Sequence, residues 1–382
     1  MERILVIGGS RYFGKHLVTL LRDAGNEVTV LNRGSVVPPD GVGRLVADRE
    51  DERQLGEALG PRTFDAVVDQ VCYTPHQAAV ARRVFGGGRT GRYVMTSTME
   101  VYDPATFSPP LTGHGSALLS AHPHPLPLPL PLPLPLPLPL PLPHPVAEEC
   151  VDPLGLPPIL PAAAGTEAPA GPAAAYAEGK RRAEAVFLRD PAFPYVSVRS
   201  AHVLGGGRAE FTGRLAHYVG RIGAGLPVDV HEHPYPTSFI HHREIAEFLA
   251  WAVAGGFTGP VNASSDGALT VTRLCELIAA RVGRPPRYRT VPRGQEASPF
   301  SFDRPYALDN GRAARLGFAF TRTEDWLPEA VDEAIDQALD QAIDGAIDGA
   351  IDGAIEGVID QALDVAIGGA ASGGVGAPPP TR

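Results

Sequence analysis

The chain has 382 residues and a formal net charge of −10, a length that allows two or three domains. Residues 323 to 381 hold thirteen Asp or Glu and no Lys or Arg, contributing −13, so the remainder sums to +3. The acidity belongs to the tail, which excludes any global electrostatic argument for or against a nucleic-acid partner. Two segments are of low complexity: residues 122 to 145 alternate Leu and Pro almost without interruption, and residues 332 to 364 carry an acid at every fourth position. Without them, roughly 300 residues of ordinary globular composition remain, enough for one two-lobed enzyme. Cys72, Cys150 and Cys275 are far apart, odd in number and without metal-ligand spacing, which suits a reducing compartment. Met1 leads into a strand within three residues, with no charged leader or apolar segment, so a cytoplasmic location is expected.

Ile4 to Ile7 is an apolar run suited to a strand buried on both faces. It ends at Gly8 and Gly9, and from Phe13 to Gly25 the apolar residues Leu17, Val18, Leu20 and Leu21 recur at helical spacing. Strand, glycine turn and helix N-terminus in that order form a site for a pyrophosphate. The glycines stand at positions 8, 9 and 14, with Arg11 in the middle place of a Gly-x-x-Gly-x-x-Gly pattern. A second strand, Val28 to Leu31, ends at Asn32, Arg33 and Gly34. An acid at this tip would hold a ribose 2′-hydroxyl, whereas an arginine accommodates a 2′-phosphate. Arg33, with Arg11 as a second positive contact, therefore leans the cofactor, NAD(P), towards NADP.

Further strands are expected at Leu45 to Ala47, Ala66 to Asp69 and Arg92 to Thr96, with helices at Asp51 to Leu59 and Pro75 to Phe85. Strands alternating with helices imply a parallel sheet. Asp48, at the end of the third strand, is placed to meet an adenine edge or to cap a helix. From Pro104 to Pro172 the pattern breaks. Prolines at every odd position from 123 to 145 forbid helix and sheet; the run should be polyproline II, cannot cross a membrane, and its flanks are expected to be mobile. Order resumes with a helix from Tyr176 to Leu188 and a strand from Tyr195 to Arg199. Next come a helix Phe211 to Ile222, a strand Ser238 to His241, a helix Glu244 to Val253, a short segment Pro260 to Asn262 and a helix Val271 to Val282. From Glu329 a helix begins whose like charges at i,i+4 lack basic partners and whose glycines at 345, 349, 353 and 357 weaken it further. The expected architecture is α/β: a Rossmann-type doubly wound parallel sheet over residues 1–103 and 173–200, with part of 236–255. A Pro-rich insert (104–172), a smaller mixed C-terminal substrate lobe (201–328) and an acidic tail (329–382) complete it.

The chain contains two lysines, Lys15 and Lys180, and ten tyrosines; a Tyr-x-x-x-Lys match, expected by chance about 0.05 times, occurs at Tyr176 and Lys180. Helical spacing puts both side chains on one face. An ammonium near a phenol lowers its pKa, making Tyr176 a candidate base for a substrate hydroxyl. Ser97, Thr98 and Glu100 follow the Arg92 to Thr96 strand, at the sheet edge where open α/β folds bind ligands. His202 follows another strand and is a candidate substrate contact. The histidine pairs His231/His233 and His241/His242 lack an acid or cysteine set at ligand spacing, and no metal is expected.

These residues resemble the extended short-chain dehydrogenase/reductases of the NAD-dependent epimerase/dehydratase group. The likeness covers most of residues 1 to 328 outside the insert and rests on VIGGSRYFG, ADRED, TSTMEVY, YAEGK, VRSAHVLGGG, SFIHHREIAEFL, GPVNAS and ARLGF. It implies Thr98, Tyr176 and Lys180 as catalytic hydroxyl, base and supporting lysine. It also implies cofactor contacts from Gly8, Gly14, Arg33 and Asp48; Gly9, Arg11, Phe13, Asn32 and Lys180 complete the candidate cofactor set, and Ser97, Glu100 and His202 are candidate substrate contacts. Arg11 in place of the middle glycine is similar to atypical members, and Met99 stands where 4,6-dehydratases have an aspartate, which argues against dehydration. The expected activity is hydride transfer at a secondary alcohol or ketone, of a nucleotide sugar or similar polyol. The alternatives are NADPH-dependent reduction of a small carbonyl substrate, or a non-catalytic relative of the chloroplast stem-loop-binding proteins that bind RNA. The expected partner is a small-molecule substrate rather than nucleic acid or membrane, and a homodimer is a possible assembly.

Overall fold

A computed structural model of the chain describes residues 1–103, 145–155 and 171–340. The first strand, β1 (Arg3–Ile7), sends Ile4 and Val6 into one apolar cluster and Leu5 and Ile7 into another. Both faces of the strand are covered, hence its unbroken apolar run. Helix α1 (Phe13–Asp23) leads to β2 (Glu27–Asn32) and β3 (Gly43–Val46), and α2 (Glu52–Leu59) to β4 (Ala66–Asp69). Helix α3 (Pro75–Phe85) precedes β5 (Tyr93–Thr98), and α4 (Pro172–Arg189) precedes β6 (Tyr195–Ser200). The short strand β7 (His202–Leu204), α5 (Arg214–Gly223), β8 (Pro227–His231) and β9 (Phe239–His241) follow. After them come α6 (His242–Ala254), β10 (Gly259–Ala263), α7 (Val271–Val282), β11 (Arg287–Val291) and α8 (Gly311–Arg315).

The main sheet has seven strands in the order β10-β6-β5-β4-β1-β2-β3, every pair parallel. The chain winds outward in both directions from β1, so the strand order reverses there, leaving at the carboxyl ends the kind of crevice in which open α/β sheets bind ligands. Leu17 and Leu21 of α1 and Phe248 of α6 fill one face; Leu55 of α2, Phe85 of α3 and Phe187 of α4 fill the other. The expected doubly wound α/β architecture is therefore present. A third cluster holds the smaller lobe, with Tyr218 and Ile222 of α5, Val228 and Val230 of β8, Leu274 and Ile278 of α7, Phe300 and Leu327. Strand β11 escaped the sequence pattern because four of its five residues are exposed and it pairs only with β8.

Two expectations need correction. The insert's flank was expected to be mobile, yet residues 145–155 pack onto the body: Val146 N donates to Ala307 O (2.7 Å), and Asn262 N donates to the Glu148 carboxylate (2.7 Å). The tail boundary at residue 329 falls inside a helical stretch, 323–340. Leu327, Ala330, Val331 and Ala334 of that stretch join the lobe core. Its acids find basic partners across the body, Arg273 with Glu324, Arg243 with Glu329, Arg281 with Asp332 and Arg208 with Asp340. The Leu-Pro run up to residue 144 and the glycine-containing tail from 341 lie outside the described residues. The three cysteines are free thiols. Among the described residues no helix is long and apolar enough to cross a membrane.

Candidate active site

A cleft of about 1050 Å³ runs along the carboxyl ends of the central strands. Its floor is the turn between β1 and α1. Gly8 has φ 94° and its missing Cβ would lie 2.8 Å from Val71 Cγ1; a Cβ on Gly9 would lie 2.6 Å from Val6 Cγ1. One on Gly14 would collide with Gln70 Oε1. Gly8, Arg11 and Phe13 line the cleft, while Gly9 and Gly14 lie behind its wall and allow strand and helix to close. The turn's odd residue is Tyr12, which caps α1 at φ 50°. The side-chain nitrogen of Gln70 and the hydroxyl of Thr96, both of residues lining the cleft, are buried without partners among the described residues. Backbone cradle, orphaned polar atoms and volume all fit a dinucleotide.

At the tip of β2, Asn32 donates to Ser10 Oγ (2.8 Å) and Val36 O (3.0 Å) and accepts from Gly34 N (2.8 Å). It thereby fixes the loop that presents Arg33. Arg33 and Arg11 are exposed, line the cleft and have no hydrogen-bond or ion-pair partner among the described residues. Asp48 also lines the cleft, with one carboxylate oxygen accepting Glu50 N (2.9 Å). Its neighbour Arg49 was not singled out from sequence. It is buried, with Nη2 2.6 Å from an oxygen of the fully buried Asp69. The signal was available in Asp69, a carboxylate closing an apolar strand, since a buried charge requires a partner.

Helix α4 brings Tyr176 and Lys180 to the cleft beside Thr98 at the end of β5. Gly179, between them, lies so close to the Tyr73 carbonyl that no Cβ fits there. Thr98 Oγ1 accepts Glu100 N (3.2 Å), and Thr98 and Tyr176 line the same cleft. Lys180 is buried, with Nζ donating to Thr96 O (2.8 Å), 4.5 Å from the Tyr73 ring centroid and 5.8 Å from that of Tyr176. Burial pulls the Lys180 ammonium down to about 8, against the raising influence of Cys72 and Asp69. The expectation that Lys180 depresses the Tyr176 pKa is not met. Burial pushes the phenol up to about 12; the Thr98 hydroxyl opposes this, while Tyr73 and Glu100 reinforce it. Tyr176 thus holds its proton at neutral pH.

A second cavity of about 670 Å³ in the smaller lobe shares Glu100, His202 and Arg214 with the first. Burial raises the Glu100 carboxyl, which accepts Tyr306 OH (2.7 Å). His202 Nδ1 lies 3.1 Å from Arg214 Nη1. Arginine only donates, so Nδ1 accepts and Nε2 carries the hydrogen, without a partner among the described residues. Burial, then Arg214, holds this imidazole neutral. Ser97 lines the cleft, but its hydroxyl is committed to Glu184 (2.6 Å). Met99 is buried in the core. His231 Nδ1 is engaged by Ser301 (2.9 Å). The other histidine pair, read as lacking an acid, has one: Glu333, ninety-one residues beyond His242, reaches it from the helical stretch 323–340.

No protein-family model matches the chain. The fold matches WbmH of Bordetella bronchiseptica in complex with NAD+ (17% identical, 87% of this chain and 98% of that one, TM-score 0.59). It also matches the UDP-glucose 4-epimerase of Thermotoga maritima with UDP-glucose (18%, 87% and 98%, 0.58). A third match is the dTDP-glucose 4,6-dehydratase of Bacillus anthracis with NAD (13%, 87% and 96%, 0.58). Among curated proteins, the 2′-dehydrokanamycin reductase of Streptomyces kanamyceticus is 32% identical over 109 residues, 28% of this chain; the match spans 30% of that protein's length. The chain shares the fold of these epimerase and dehydratase structures.

Proposed function

We propose that the chain is an NAD(P)-dependent oxidoreductase acting on a secondary alcohol or its ketone. The observation that carries this reading is the convergence of Thr98, Tyr176 and the buried Lys180 on one dinucleotide-sized cleft that adjoins a second cavity. The nicotinamide supplies the hydride chemistry when bound. Tyr176 exchanges the proton of the substrate oxygen, Thr98 holds that oxygen and the phenol together, and Lys180 fixes the floor through Thr96 O. Glu100, His202 and Arg214 face the substrate. Arg214 has no carboxylate within ion-pair distance among the described residues, which suits the phosphates of a nucleotide sugar, and UDP-glucose occupies the Thermotoga maritima epimerase. Met99 in the place of an acid favours epimerisation or reduction over dehydration. The reading of a small-carbonyl reductase is favoured by the protonated state of Tyr176 and by the segment similar to 2′-dehydrokanamycin reductase. Free thiols suit a cytoplasmic setting.

Release of bound cofactor from the purified protein, with NADH and NADPH titrations, tests the proposal. NADPH is expected to bind more tightly. Arg33→Ala and Arg11→Ala should each weaken NADPH by about 10- to 100-fold, as the loss of a charged hydrogen bond does, and leave NADH unchanged. Equal losses for both dinucleotides would remove the 2′-phosphate assignment. No binding of either, with salt-dependent affinity for RNA, would turn the reading to the non-catalytic RNA-binding alternative.

A further inference from the structure

His241, His242 and Glu333 each offer one ligand atom, and the three atoms lie within 4.8 Å of one another. We propose that they bind a divalent first-row transition cation, of which zinc is the representative, and that the cation fastens the helical stretch 323–340 to the nucleotide-binding half. Imidazole and carboxylate are the ligand types such ions take.

Both imidazoles have a buried Nε2 with no partner among the described residues. His241 is 6% exposed. A buried polar atom without a partner is disfavoured, and a shared cation satisfies both. The backbone around them is shaped for close approach. Gly205, Gly206 and Gly207 have φ of 86°, 91° and 49°. A Cβ on Gly205 would lie 2.8 Å from His241 Nε2, and one on Gly206 would lie 3.4 Å from His242 Nδ1. Gly206 N also donates to Glu333 Oε2 (2.5 Å), which fixes the carboxylate at the site.

The surroundings are compatible with a cation. Arg243 spends its closer contact on Glu329 (2.9 Å) and stands 3.9 Å from Glu333, which keeps a carboxylate available. Tyr12, stacked on His242 with centroids 6.0 Å apart, also has a hydroxyl without a partner. The ligand atoms need to close only to the roughly 3.4 Å separations that bonds of about 2.1 Å imply.

The test is zinc chloride titrated by calorimetry into the full chain after chelator treatment, with thermal melts and the cobalt(II) absorption spectrum as second readouts. Expected are one ion per chain, a raised melting temperature and the visible bands of a low-coordinate cobalt site. Glu333→Gln and His242→Ala should weaken binding by more than the roughly 10- to 100-fold typical of an outer-sphere partner. His233→Ala, at an exposed histidine elsewhere, should not change it. No stoichiometric binding overturns the proposal. So does binding that survives Glu333→Gln, a change at a residue exposed enough to fold whatever the fate of His242→Ala.

Discussion

Tyr176→Phe is expected to lower kcat by about 10²- to 10⁴-fold, the contribution of a positioned proton donor or acceptor, with dinucleotide affinity unchanged. The substitution removes one oxygen and leaves the ring between Tyr73 and the cleft. On the proposed reading the phenol is the group whose proton moves, because it lines the cleft beside Thr98 while Lys180 Nζ is turned to Thr96 O. Thr98→Val should also impair turnover, since Thr98 is the hydroxyl proposed to hold the substrate oxygen beside that phenol. A steady-state assay of NADPH oxidation with a ketone substrate, beside equilibrium dinucleotide binding, separates chemistry from binding. Full activity in the phenylalanine variant would place the proton donor elsewhere, with Glu100 next in line by its position in both cavities.

Glu184→Ala, on the face of α4 that packs against the sheet, should be strongly destabilising. Glu184 and Arg199 are both fully buried. Glu184 accepts from Arg199 at 2.7–3.3 Å and from Ser97 and Ser197 at 2.6 Å each. Arg199 also donates to Tyr102 OH, Glu148 O and Val151 O. One ion pair thus joins α4, β5, β6 and the docked segment 145–155. Removing one member strands the other charge in the interior, a loss of about 3–5 kcal/mol and a fall in Tm on the order of 10 °C. Burial by itself disfavours the Glu184 carboxylate, but Arg199 and the serine hydroxyls more than offset it, so its pKa is lowered. In the unfolded chain the carboxyl binds its proton at a higher pH. The stabilisation is therefore complete above the ordinary carboxylate range and is lost as the pH falls through and below it. Melting curves from neutral to acid pH should converge for the wild type and Glu184→Ala. Proteolysis near residues 145–155 should quicken in the variant at neutral pH.

The sheet was legible because its strands are buried on both faces and its helices carry one apolar stripe, so periodicity and burial agree. The convergence of Thr98, Tyr176 and Lys180 on one cleft was legible for a local reason: Tyr176 and Lys180 lie one helical turn apart, and Thr98 ends an apolar strand. Charge partnerships across the fold were not legible. Arg49 and Asp69, twenty residues apart, and Glu333 with the histidines are neighbours only because crossovers and the docked helix bring them together. The same blindness produced the wrong sign for Tyr176: a spacing rule sees the lysine, whereas the pKa answers to burial and to where the ammonium actually points. The acids of 323–340 looked unpartnered because their arginines lie on other elements.

That helical stretch divides its attachment in two. Leu327, Val331 and Ala334 hold it by apolar contact, while its arginine partners reach acids at the rim, several of them about half exposed. Rim charges are screened over the Debye length of about 8 Å at physiological ionic strength, whereas apolar burial is not. Ionic strength therefore acts on the two attachments unequally: salt loosens the edges of the helix and leaves its seat in the lobe core intact.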